Sequence, residues 1–132
     1  MKVREVMVLI EADGWYLVRT RGDHHRYKHP TRKGLVTVAG HPWHAQQYHE
    51  ASRAERGYLM KYAVVIEQVE GNYSAYVPDL PGCVATGDTV EDVERVIRDA
   101  IVFHIAGLQA EGLPVPEPTT RCAYVEAACA AR

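Results

Sequence analysis

The sequence predicts an α+β protein made of two small modules in one chain, and three observations carry this reading. Helix and strand patterns run in the order αβββ up to residue 40 and βββαβ from residue 60. The stretch between them, residues 40–57, contains no Val, Ile, Leu or Met. Charge also changes sign across it. Residues 1–41 hold eight Lys/Arg against four Asp/Glu (+4), residues 42–57 hold two of each, and residues 58–126 hold four against eleven (−7). The small total of −2 over 132 residues hides this split. Such asymmetry suggests one half that faces a polyanion and one acidic half.

In the first module, residues 2–13 read as an amphipathic helix, because Val3, Val6, Met7 and Ile10 recur at i, i+3, i+4 and i+7. Gly14 follows at the position where a helix end favours positive φ. Residues 15–20 (WYLVRT), 24–29 (HHRYKH) and 35–39 (LVTVA) are rich in aromatic and branched types and read as strands. Turns fall at Arg21-Gly22-Asp23 and at residues 30–34. Residues 43–59 read as a linker or a loosely docked helix around Ala45–Arg56, with only Trp43, Tyr48 and alanines to offer a core.

In the second module, residues 61–69 and 73–77 form a hairpin about Glu70-Gly71-Asn72, and residues 83–86 a third strand. Thr89 is the expected helix cap, with Asp92 three residues on. The apolar face then runs through Val90, Val93, Val96, Ile97, Ala100, Ile101, Ile105 and Leu108, and Gly112 ends the helix. Residues 113–120, LPVPEPTT, are an extended connector. Residues 121–126 (RCAYVE) read as a final strand, and 127–132 as a fraying tail.

Composition excludes several classes. No apolar run is long enough to span a bilayer, and the N-terminus does not read as a signal peptide, so a cytoplasmic location is expected. Cys83, Cys122 and Cys129 form no CxxC pair and are expected as free thiols, not zinc ligands. No cofactor or metal is expected. His41, His44 and His49 lack a second ligand motif. Asp79 is more simply a turn residue than part of a metal pair with Glu67 and Asp88.

Two segments resemble two families that occur together. GWYLVRTRGDHHRYKHP and GLVTVAGHP, within residues 1–42, resemble a HicA-type toxin, a small RNA-cleaving protein with a double-stranded-RNA-binding-like fold. The family's GSHH-type motif is matched by Gly22-Asp23-His24-His25. Residues 60–126 resemble a HicB-type antitoxin with a partial RNase H-like fold, and Met60 sits where a separate antitoxin would start. The expected organisation is therefore a truncated toxin segment (1–42), a linker (43–59), an antitoxin domain (60–126) and a tail (127–132). The toxin segment departs from its family at Asp23, where Ser is usual, and at residues 43–57, which do not match the family's closing helix.

The resemblance implies that His24 is the catalytic residue of RNA cleavage. Histidine titrates near neutrality and can take a proton from a ribose 2′-hydroxyl without a metal. Gly22 would let backbone approach a phosphate, while Arg19, Arg21, Arg26 and Lys28 alternate along two strands and would line an RNA path. Asp23 is expected to raise the His24 pKa and repel substrate. The αβββ piece leaves one sheet face uncovered, so the acidic module is expected to dock over the strand bearing His24. The expected partners are a HicA-type toxin, in this chain or separate, RNA through the basic segment, and further copies in a homo-oligomer. No DNA-reading domain is seen in the sequence, so direct DNA binding is not expected.

Overall fold

The computed structural model describes residues 2–40 and 60–130. The expectations placed on residues 43–59, and the cluster of His41, His44 and His49, lie outside the described residues. Eight elements follow in order: α1 (Val3–Ala12), β1 (Tyr16–Arg21), β2 (His24–Lys28), β3 (Val36–Gly40), β4 (Val65–Val69), β5 (Asn72–Tyr76), β6 (Cys83–Gly87) and α2 (Val90–Ala110). The α+β class is as expected from the sequence.

The six strands form one mixed sheet in the order β1-β2-β3-β6-β5-β4. Each half contributes an antiparallel meander, and the two join where β3 pairs parallel with β6, Thr37 opposite Cys83 through Gly40 opposite Thr86. The join has a physical cause. Val38 and Ala39 of β3 are apolar and fully buried, and an unpaired β3 edge would leave their backbone groups unsatisfied in that interior. Strand β6 supplies the partners, and the Thr37 amide donates to the Gly82 carbonyl at 2.7 Å.

The helices take opposite faces of this sheet. On one, α1 lays its predicted apolar row against β3, so close that a Cβ at Gly40 would overlap the Val3 side chain. Val3, Val6, Met7 and Ile10 are half-buried, while Val8 and Leu9 point to solvent. On the other face, α2 covers a core drawn from both halves: Leu35 and Ala39 from the first, Ala75, Leu80 and Ala85 from the second, and Val93, Val96, Ile97 and Ala100 from the helix itself. The caps follow the sequence. Gly14 takes φ +99°, and the Asp92 amide donates to Thr89 Oγ1 at 3.0 Å.

Three expectations need correction. The strand expected over 61–69 begins only at Val65. Val90 is 36% exposed and is not among the buried residues of α2. No strand forms over residues 121–126; Tyr124 and Val125 project into solvent, because the chain leaves the body after residue 120 and meets no sheet edge. Up to that point the chain is strapped down. Tyr62 donates from its hydroxyl to the Pro116 carbonyl, and the Asp79 carboxylate accepts from the amides and hydroxyls of both Thr119 and Thr120 at 2.8–3.0 Å. These bonds hold the Asp79 carboxyl below its ordinary range, the Thr120 amide first among the causes. The strap is thus intact above the ordinary carboxylate value of 3.8 and is released as pH falls through the lowered one. Asp79→Ala is expected to lower the protection of the Thr119 and Thr120 amides against exchange at neutral pH, relative to their intrinsic rates, to the level the unaltered chain shows in acid, with no change at Leu80 or Val96.

Candidate active site

The turn that carries the GDHH motif is short. Gly22 takes φ +58° between β1 and β2, which a residue with a Cβ adopts only with strain. Beyond it the strand alternates, so the two histidines separate. His25 stands opposite Val38 on the α1 face, while His24 stands opposite Ala39 on the α2 face. Register then gathers the basic residues. Arg19 pairs with Arg26 and Arg21 with His24, and Lys28 lies two residues beyond Arg26 on the same strand. Cross-strand partners share a face. Arg19, Arg21, His24, Arg26 and Lys28 therefore all lie on the α2 side of the sheet.

They differ in exposure. Arg19 and Arg21 lie on the edge strand and are open to solvent. His24 and Arg26 are buried beneath α2. The Arg26 Nη2 donates to the Phe103 carbonyl at 2.8 Å, and its Cζ sits 4.1 Å from the centre of the Phe103 ring, within cation–π range. The same ring lies 5.6 Å from the His24 imidazole. Gly107, one turn on, provides the space for the guanidinium, since a Cβ there would come within 2.6 Å of Arg26 Cζ and Nε. At the rim, Lys28 and Glu111 pair at 2.9 Å across the two halves, too exposed to contribute much. The expected docking of the second half over the His24 strand is thus present within one chain. Its contacts are buried aromatic and guanidinium groups more than the opposed net charges from which it was inferred.

His24 Nδ1 lies 3.3 Å from the Arg21 carbonyl, which can only accept, so Nδ1 carries the proton there and the neutral ring keeps its lone pair at Nε2. Burial pulls the His24 pKa below its ordinary value; the Arg21 carbonyl, Asp99 and Asp23 push it back up but do not prevail. The expected upward shift from Asp23 is therefore corrected: its charge acts in the stated direction, but desolvation beneath α2 outweighs it. Cys83, Cys122 and Cys129 are free thiols, the first pushed up to about 12 by burial. Among the described residues, no group of three or more His, Cys, Asp and Glu could hold a metal ion, and Glu67, Asp79 and Asp88 do not converge.

Sequence reasoning missed three residues of this site: Phe103, His104 and Gly107, all buried on α2. Their signal was a second stripe, Ala100, Phe103, His104 and Gly107, at i, i+3, i+4 and i+7, beside the aliphatic one. His104 is buried against β3, its Nδ1 sharing a hydrogen bond with Thr37 Oγ1 at 2.8 Å. Burial, with the nearby Arg26 charge second, lowers its pKa to about 4. The unfolded chain titrates this group near 6.5, so its contribution is complete above pH 6.5. Below that, the unfolded chain takes up a proton that the folded chain refuses, and roughly 3 kcal/mol is lost by about pH 4. Denaturant midpoints measured across this range are expected to fall steeply for the unaltered chain and less steeply for His104→Asn.

A basic strand face with a buried histidine thus lies beneath a helix from an acidic half, and comparison with known families places a family on each half. The model of the HicA toxin of bacterial toxin-antitoxin systems matches residues 3–44, and that of the HicB_like antitoxin matches residues 62–128. The chain belongs to the HicB-like antitoxin family and carries a HicA-like toxin segment ahead of the antitoxin domain. Among curated relatives, an uncharacterized 14.9 kDa protein of Haemophilus phage HP1 is 38% identical over 58 residues, 44% of each chain. A UPF0150 protein of Synechocystis is 40% identical over 60 residues, 45% of this chain and 76% of that one. A UPF0150 protein of Helicobacter pylori is 43% identical over 49 residues, 37% of this chain and 68% of that one. The chain thus spans less than half the length of the phage relative. No solved structure matches it significantly. Among the described residues, no helix is long and apolar enough to cross a membrane.

Proposed function

We propose that this chain is an antitoxin of a type II toxin-antitoxin system that masks, in cis, the partial RNA-cleaving segment to which it is fused. The observation that carries the reading is the seat of Phe103, whose ring and carbonyl engage Arg26 and whose ring faces His24. RNA needs the α2 face of β1 and β2, where Arg19 and Arg21 are open but His24 and Arg26 are covered. The first half, α1 with three strands, has the element order with which a double-stranded-RNA-binding-like fold begins. The second, three strands and α2, has that of a partial RNase H-like fold. The protein acts in the cytoplasm, where both a HicA-type toxin and mRNA are found.

A second reading, a latent ribonuclease restrained by its own antitoxin domain, is favoured by one observation: the Arg21 carbonyl fixes the His24 tautomer with Nε2 as the base. With α2 displaced, Nε2 would take the proton of a ribose 2′-hydroxyl. The 2′-oxygen would attack the adjacent phosphorus and the 5′-oxygen would leave, taking a proton from solvent, to give a 2′,3′-cyclic phosphate and a 5′-hydroxyl end. Arg19, Arg21, Arg26 and Lys28 would hold the backbone, and Gly22 would let it approach the turn. The two readings separate on the whole chain carrying Phe103→Ala. Cleavage of single-stranded RNA that appears with this substitution and vanishes with His24→Ala marks a live, masked nuclease. Folded but silent Phe103→Ala protein marks a remnant, and the antitoxin reading alone then stands. Cleavage by the unaltered chain at the same rate would defeat masking.

A further inference from the structure

The two halves enclose a cleft of about 420 Å³ beside the last turns of α2. Trp15 and Lys33 line it from the first half, and Leu80, Leu108 and Pro116 from the second. Its walls are pinned. The Trp15 indole donates to the Asp13 carboxylate, the Tyr62 hydroxyl to the Pro116 carbonyl, and the Leu113 amide to the Leu108 carbonyl. The buried His104 also lines the cleft. Its Nδ1 is taken by Thr37 Oγ1, and its Nε2 bonds no group among the described residues. With its pKa lowered to about 4, this ring is neutral near pH 7. Lys33 is therefore the one charged side chain among the described lining residues. It is exposed, and no carboxylate of the described residues pairs with it.

We propose that this cleft binds a small carboxylate with an aromatic body, the ring against Trp15, Leu80 and Leu108 and the carboxylate on Lys33. Three features select this chemistry. The volume lies within the roughly 300–1,000 Å³ of small-molecule sites, which join apolar walls to a few polar groups. The only charge on the walls is positive, so an anion is matched and an amine is not. The indole of Trp15 offers a ring the stacked or edge contact that aromatic pairs prefer. Because each half supplies a wall, the site exists only while the halves are joined. An occupant therefore stabilises the joined chain in proportion to its occupancy, and so controls the cover that α2 gives β2. Binding does not depend on whether His24 cleaves RNA, so either reading can fail and leave the other standing.

The test titrates 3-phenylpropanoate, and separately its neutral amide, into the whole chain and follows the Trp15 indole and backbone amide signals by NMR. Saturable shifts are expected at Trp15, Leu80 and Leu108. The acid is expected to bind about fivefold more tightly than the amide, the upper end for one exposed ion pair. Lys33→Gln is expected to abolish this preference and leave amide binding unchanged; the side chain is exposed, so the fold is kept. Trp15→Ala is expected to weaken both probes. The denaturant midpoint is expected to rise with the acid in the unaltered chain and to rise less in Trp15→Ala. Absence of saturation by either probe overturns the proposal. So does equal binding of acid and amide, a preference for the acid that survives Lys33→Gln, or saturable shifts confined to the Arg19 and Arg21 face.

Discussion

Phe103→Ala is expected to destabilise the folded chain by roughly 3 kcal/mol, the low end of the range for removing a buried phenylalanine. The ring is 7% exposed and sits where the two halves meet, between His24 and Arg26. Its loss opens a cavity and also removes the face over which the Arg26 guanidinium lies, and a buried cation is costly without its partners. The low end applies because β1 lies at the sheet margin and can relax toward the gap. Circular dichroism against denaturant measures the change. A loss no larger than that of an exposed α2 substitution, such as Val102→Ala, would show that the ring does not hold the halves together.

The second large effect reverses an ordinary rule. In a helix interior, Gly→Ala is expected to stabilise by about 1 kcal/mol through backbone propensity. At Gly107 the new methyl would meet Arg26 Cζ and Nε at 2.6 Å and Leu35 Cδ1 at 2.8 Å. Arg26 can withdraw only by giving up its bond to the Phe103 carbonyl, and overpacking of this kind costs about 1–3 kcal/mol. Gly107→Ala is therefore expected to destabilise on balance. In an Arg26→Ala background only Leu35 Cδ1 remains in the way, the end of a side chain that can move into the space the guanidinium leaves, and the same substitution is expected to stabilise. A double-mutant cycle reads the change of sign. If Gly107→Ala stabilised both backgrounds, the guanidinium would not occupy the groove assigned to it.

The elements were legible in the sequence wherever a single periodicity decided them. The α1 row of Val3, Val6, Met7 and Ile10 falls on the buried side, and the three strands on each side of the break are present. What the sequence concealed was non-local. The parallel join of β3 to β6 leaves no mark on either strand, since parallel pairing needs only two apolar strands and a crossover. The aliphatic stripe on α2 drew attention from Phe103, His104 and Gly107, because a histidine and a glycine do not read as core. They became core by meeting β2 and β3, which are distant in sequence. His24 was singled out by its motif, and Arg26 by its charge. That charge marked Arg26 as RNA-facing, but in the closed chain the same guanidinium is what α2 holds. The strand expected at 121–126 does not form, because composition marks a segment that could pair and only a neighbouring strand edge makes it do so.

The opposite charges of the two halves are thus a weaker cause than they first seem. The groups that meet under α2 are an arginine, a phenylalanine and two neutral histidines, and charge pairing is left to the rim at Lys28 and Glu111. The central claim is that α2 covers His24 in the chain as it folds. The most direct measurement is the titration of the His24 ring by NMR in the whole chain and in Phe103→Ala. Cover by α2 predicts a midpoint below that of an ordinary histidine, because burial is the leading cause of the shift, and a rise toward the ordinary value once the ring is removed. A His24 that titrates like a solvent-exposed histidine in the unaltered chain, and does not move in the variant, would contradict it.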